Sequence, residues 1–384
     1  MTDTQSETRT DGAIITSALL LVGTGMLMNY STTAALEIGV MLPPLAIRHA
    51  AGVAFALLCA FVATKVPLSF WERYAIPFWA ISCLLLVATL LTGTEANGAQ
   101  RWLVIPGLPI SIQASEPARL ATLLAVVALV GRATPKALAS TALLKRVAIF
   151  VVPPVALLLL QPDFGSAVML CAMVGLVLFA AGLPLRTLML PAVTAVVGAV
   201  LYVAVRPYAR ARIVGFFDPW QNAHSEGFQL VQSFVAFGRG GTMGVGLGNG
   251  RQKLFYLPEA HTDFILSVVA EEIGLIGVLC VIGAFATLCW AGLRIARRAR
   301  RPFPILLATA MTSLVVLPAL CNAAVVMGLL PTTGLTLPFL SHGSNSLVCS
   351  AVAIGILLRV ASESGSDGGD RHGSHTPSVR LARA

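Results

Sequence analysis

Ten apolar stretches, each close to the length that crosses a bilayer, recur along this chain from residue 13 to residue 360. They lie near 13–32, 44–64, 73–93, 116–132, 146–161, 164–183, 185–205, 263–291, 303–328 and 342–360. Backbone polar groups in hydrocarbon must be satisfied within the segment, so such runs become helices packed side by side. The fold expected is an all-α polytopic membrane protein of about ten transmembrane helices, with a large outer loop between helices 7 and 8. Composition agrees. The 384 residues are 57% hydrophobic and 11% charged, against about 25% charged for a soluble domain. A soluble globular enzyme with one membrane tail is excluded.

Residues 1–12 are polar, with three acids and one arginine, which is not the basic start of a cleaved signal peptide. They read as an N-terminal tail ahead of a retained helix. Residues 13–360 form the membrane domain, including the outer loop 206–262. Residues 361–384 are rich in Gly, Ser and charge and read as a disordered tail. Seven cysteines, at 59, 83, 171, 280, 289, 321 and 349, lie in apolar segments without a CxxC pair and read as small hydrophobes.

An even number of spans puts both termini on one side. If that side is cytoplasmic, the inner loops collect Lys65, Arg73, Arg132, Lys136, Lys145, Arg146, Arg186, Arg294, Arg297, Arg298, Arg300, Arg301 and Arg359. Outside the long loop, the outer side holds only Arg48, Arg101 and Arg119. That is the positive-inside pattern. The long loop adds Arg206, Arg210, Arg212, Arg239, Arg251 and Lys253. These cations are suited either to lipid headgroups or to an anionic ligand.

Polar residues gather in four outer clusters. Residues 98–120 read as a loop, with Ser115 capping the next helix and Glu116 and Arg119 three apart on its first turn. In LQPDFGSA, 160–167, Asp163 is read as the cap of the following helix. The long loop joins arginines, an amphipathic FQLVQSFVAF and a glycine-rich GRGGTMGVGLGNG that fits no phosphate-loop spacing. GLLPTTGLTLPFLSHGSNS, 328–346, reads as a re-entrant or folded loop. At the mouth of the eighth span, LPEAHTDFIL carries Asp263, with Glu271 and Glu272 about 12–14 Å deeper on a continuous helix. A paired structural role for these two glutamates is favoured over a proton relay. Carboxylate, arginines and mobile backbone around an apolar bundle suit a lipid-linked anionic substrate.

At these clusters the chain resembles the SEDS family (shape, elongation, division and sporulation), over about residues 14–360. The resemblance rests on GAQRWL, QASEPAR, QPDFGSA, FFDPW, GFQLVQS, GLGNGRQKLFYLPEAHTDFI and LPTTGLTLPFLSHGSNS, and is closer to the FtsW than to the RodA branch. It implies a peptidoglycan glycosyltransferase of the bacterial cytoplasmic (inner) membrane, with both termini cytoplasmic, acting at the division site. The implied substrate is lipid II, and the implied partners are a class B penicillin-binding protein transpeptidase and other divisome proteins, with no nucleic acid. Carried over residue by residue, Asp263 is the catalytic base. The substrate contacts are Arg48, Arg101, Trp102, Glu116, Arg119 and Gln232; the outer loop's own residues Arg206, Arg210, Arg212, Lys253, His261 and Thr262 are added to them as candidate substrate contacts. Asp163, Glu271, Glu272, Ser341 and His342 are structural or secondary. No cofactor is evident, no carboxylate cluster has metal-ligand spacing, and a divalent-cation requirement stays open.

The chain departs from the family pattern at Ala114 and Pro117, at Arg119 and Thr333 where lysine is usual, and at His342, Ser344 and Asn345 within a usual SYGGSS. Two rival readings stand beside the enzyme: a lipid II flippase or transporter, hinted at by Glu271 and Glu272, and a non-catalytic division scaffold.

Overall fold

The computed structural model describes residues 2–34, 42–96, 99–104, 111–138, 140–258 and 260–369. Its helices are α1 (Thr2–Ala34), α2 (Pro44–Lys65), α3 (Leu68–Thr92), α4 (Ser115–Val130), the short α5 (Pro135–Leu138), α6 (Thr141–Leu160), α7 (Phe164–Ala180) and α8 (Leu185–Val205). The outer-loop helices α9 (Pro207–Phe217) and α10 (Phe228–Gly240) follow. Then come α11 (Ile265–Glu272), α12 (Gly274–Arg298), α13 (Pro302–Val326) and α14 (Ser344–Gly369). Among the described residues, eight helices are long and apolar enough to cross a membrane, and α7 is a shorter apolar one. The tenth expected span is α4, whose start carries Glu116 and Arg119.

Local chemistry sets the ends. Pro44, Pro207 and Pro302 stand in first turns, where a missing N–H costs nothing. Ser140 caps α6 by accepting from Ala142 N at 3.1 Å, and Asp163 caps α7 by accepting from Ser166 N at 3.3 Å. Ser115 does not cap α4. It is the first residue of that helix, and its buried Oγ has no partner.

α13 is the central pillar, buried along most of its length, and packs against α4, α7, α12 and α14. Thr309, Thr312 and Ser313 inside it bond back to Ile305 O, Ala308 O and Ala310 O, so their hydroxyls cost little. α8 lies at the opposite extreme, with none of its residues buried. The end of α14 meets the start of α3, where Leu68 N donates to Glu363 Oε1 at 3.2 Å.

Three further expectations need correction. Residues 98–120 are not a simple loop. β1 (Thr94–Ala96), β2 (Ala99–Val104) and β3 (Ser111–Gln113) form an antiparallel sheet in the order β1-β2-β3, with Trp102 paired to Thr94 and to Gln113. Pairing the strands satisfies backbone groups at the membrane edge. The span 263–291 is not one helix either: it breaks between α11 and α12, where Gly274 takes φ +78°, a value that side chains resist. Lastly, α1 reaches back to Thr2 through the stretch read as a tail, and α14 runs on to Gly369. The rest of the expected C-terminal tail lies outside the described residues.

Candidate active site

The turn 261–264 precedes α11 and presents Asp263 to a cavity of about 400 Å³, a volume typical of small-molecule sites. Arg101 and Trp102 come to its wall from β2, Gln113 from β3, Tyr208 and Arg212 from α9, and Gln229 from α10. Thr262 and Asn322 line it too, the last outer loop adds Thr333, Gly334 and His342, and the start of α14 adds Asn345.

Arg212 is held on three sides. Its Nη1 donates to Thr332 O at 2.9 Å, its Nη2 donates to the Tyr208 hydroxyl one turn earlier, and its guanidinium lies 4.7 Å over the Tyr208 ring. Gly334 separates this cation from the acid. A Cβ there would lie 3.6 Å from Asp263 Oδ2 and 3.7 Å from Arg212 Nη1, and the residue takes φ +73°. Such a Cβ would only make van der Waals contact with both groups, so it is the left-handed backbone that calls for glycine here. Arg101 donates to Pro162 O and so ties the sheet to the turn carrying Asp163; its buried Nε has no partner.

On this wall, His342 stands between His261 and His49, with ring centroids 5.8 Å and 5.5 Å away. Burial holds the His342 imidazole below the ordinary 6.5, and the nearby His261 and Arg48 push it the same way. Its buried Nδ1 has no partner.

The structure thus brings Arg101, Trp102, Arg212, Thr262, Asp263 and His342 together, with His261 and Arg48 beside His342. Other expected contacts are placed elsewhere. Glu116 and Arg119 pair within the first turn of α4, both buried inside the bundle rather than on the cavity wall. The pair leaves Arg119 Nε and Nη1, Ser115 Oγ and Thr122 Oγ1 without partners, a costly arrangement in a bundle interior. Arg206 and Arg210 are exposed, and Gln232 is half-buried on α10 while Gln229, one turn earlier, lines the cavity.

Lys253 faces inward. Its Nζ meets Glu272 Oε1 at 2.6 Å and Ser31 Oγ at 2.7 Å, and Ser31 also donates to Glu272 Oε2 at 2.8 Å. Glu271 accepts from Arg251 N and Gln252 N, each at 3.0 Å, and pairs with Arg239 at 3.0 Å. Gly248 N reaches Glu272 Oε2 at 3.1 Å. The two glutamates are therefore anchors that strap the glycine-rich segment onto the end of α11, and neither points into an open path. A Cβ on Gly250 would sit 2.9 Å from Glu272 Oε1 and 3.0 Å from Glu271 Oε2, which accounts for a glycine there. Ser341 is likewise internal, donating to Thr262 O at 2.6 Å. Among the described residues, no three His, Cys, Asp or Glu side chains are grouped to hold a metal ion.

The family model for FtsW, RodA and SpoVE, described as a cell cycle protein, matches residues 12–366. The chain belongs to the FtsW/RodA/SpoVE family. A relative named as the probable peptidoglycan glycosyltransferase FtsW of Halomonas elongata is 39% identical over 351 residues, covering 90% of this chain and 88% of the relative. A solved chain from work on a peptidoglycan synthase complex that coordinates polymerization and crosslinking is 28% identical, with a TM-score of 0.76, over 91% of this chain and 97% of that one. The rod shape determining protein RodA of Thermus thermophilus is 27% identical with a TM-score of 0.66, over 91% and 96%. Family and fold together make the chain a multi-pass membrane protein. Tyr208, Gln229, Asn322 and Gly334 were missed in the sequence. Only Gly334, inside PTTGLTLP, and Tyr208, four residues before Arg212, left a signal there.

Proposed function

We propose that this chain is a peptidoglycan glycosyltransferase that polymerises lipid II at the outer face of the bacterial cytoplasmic membrane during cell division. The observation that carries the reading is Asp263 on the cavity wall, across Gly334 from Arg212. Lipid II is an undecaprenyl-diphosphate-linked disaccharide peptide, so the donor sugar already bears an activated anionic leaving group, and the reading needs no cofactor. Asp263 takes the proton of the acceptor hydroxyl as that oxygen attacks the anomeric carbon. The bond to the diphosphate oxygen breaks in the same displacement, inverting α to β, and undecaprenyl diphosphate departs. Arg212 and Arg101 stabilise its charge. The proton on Asp263 is then lost to water. Both termini are cytoplasmic, and a class B penicillin-binding protein and other divisome proteins work alongside.

The reading is supported by the relatives' names and by a cavity that sits at the bundle end opposite the Arg132–Glu72 and Arg359–Glu363 pairs. Glu271 and Glu272, the sole hint of a transporter, are consumed in strapping the loop. The test is polymerisation of purified lipid II by the reconstituted chain with its transpeptidase. Wild type should give glycan ladders, and Asp263→Ala, folded and inserted, should give none. Ladders from both would remove Asp263 from the mechanism; ladders from neither, with a proven partner, would return weight to the transporter and scaffold.

A further inference from the structure

Three successive backbone carbonyls lead up to the Asp263 carboxylate, and each is taken by a donor from the last part of the chain. His342 N donates to His261 O at 2.8 Å. Ser341 Oγ donates to Thr262 O at 2.6 Å. Asn322 Nδ2 donates to Asp263 O at 2.7 Å. The first turn of α11 does not use the Asp263 carbonyl in the usual way: Ser267 N bonds Phe264 O at 2.9 Å.

Asn322 does more than fill a bond. It is 2% exposed, on the central α13, and the same Nδ2 also donates to Leu335 O at 2.7 Å. Both amide hydrogens are thereby committed to carbonyls. Leu335 directly follows Gly334, the residue between the carboxylate and Arg212. One side chain thus stitches the acid's backbone to the backbone that spaces it from its cation. Ser341 closes the same loop, since its Oγ also accepts from Leu337 N at 2.7 Å.

We propose that Asn322 is a positioning residue for the transfer step: its amide fixes Asp263 against Leu335, and Ser341 supplies a second tie. The proposal rests on Asp263 being the base. Asn322 lines the cavity, but its amide hydrogens are spent on the two carbonyls. It acts by holding the carboxylate within the few tenths of an ångström that in-line proton removal needs. A buried asparagine that merely satisfied loop carbonyls would affect folding and substrate binding together. A positioning residue lowers turnover and leaves binding alone.

The experiment compares initial rates of lipid II polymerisation against lipid II concentration for the full chain with its transpeptidase, as wild type, Asn322→Asp, Ser341→Ala and Asp263→Ala. Asn322→Asp keeps the shape of the side chain and cannot donate to both carbonyls at once, since it has one O–H donor when protonated and none when ionised. The expected result is a kcat lowered ~10- to 100-fold in Asn322→Asp and less in Ser341→Ala, with KM within about twofold of wild type. Wild-type kcat in both variants overturns the proposal, as does a rise in KM that accounts for the whole loss. Should Asn322→Asp not fold, Ser341→Ala decides by the same criteria. An inactive Asp263→Ala beside a fully active Asn322→Asp sinks this inference alone, whereas an active Asp263→Ala sinks the mechanism and this inference with it.

Discussion

His342 stands where the family pattern has tyrosine, and its ring is wedged among His261, His49 and Arg48. Its folded-state imidazole titrates below the 6.5 of the unfolded chain. The unfolded state then binds more protons across that interval, so stability is complete above 6.5 and is lost as pH falls. The melting temperature of the detergent-solubilised chain should therefore drop as pH falls below about 6.5, and His342→Phe should reduce that slope. An unchanged slope in the variant would place the acid sensitivity elsewhere. At this scale the sequence was legible where chemistry sits in a motif: Arg101, Trp102 and Asp263 all reach the cavity. It was illegible where only direction matters. A lysine in a basic outer loop does not announce that it faces Glu272, nor does an asparagine in an apolar run announce that it reaches two carbonyls. Both depend on chain segments more than a dozen residues away.

The element that departs most from expectation is the eighth span, split into α11 and α12. Its apolar pattern continues across Ile273 and Gly274, and glycine is common in membrane helices, so nothing in the periodicity marks the break. The sheet escaped notice for a related reason: strands of three and six residues are too short to show an alternation. What the break accomplishes is to offer the end of α11 to the glycine-rich segment through Glu271 and Glu272. Both partners of the Lys253–Glu272 pair are almost wholly buried. Removing one strands a charge, so Lys253→Met should cost about 3–5 kcal/mol in thermal unfolding. The joint change Lys253→Met with Glu272→Gln should cost clearly less. Equal losses in the single and double variants would mean that packing, not charge, carries the latch.

Across the whole molecule, burial is distributed very unevenly. Leu307 on α13 is 0% exposed and Leu190 on α8 is 71% exposed. Leu307→Ala should destabilise by about 2–5 kcal/mol, while Leu190→Ala should stay within about 0.5 kcal/mol, both read from unfolding in detergent. A large effect at Leu190 would reveal a contact that α8 makes outside this chain. The ten-span architecture was readable because lipid imposes it on composition; how the spans share the interior was not, because α8 and α13 are alike in hydropathy. The three bonds onto residues 261–263 also impose an order of manufacture. Their donors are residues 322, 341 and 342. A nascent chain released after α12 would already carry Asp263 but none of the three groups that fix it. The site is complete only once the last helices have left the ribosome, because residues 322–346 supply much of its wall.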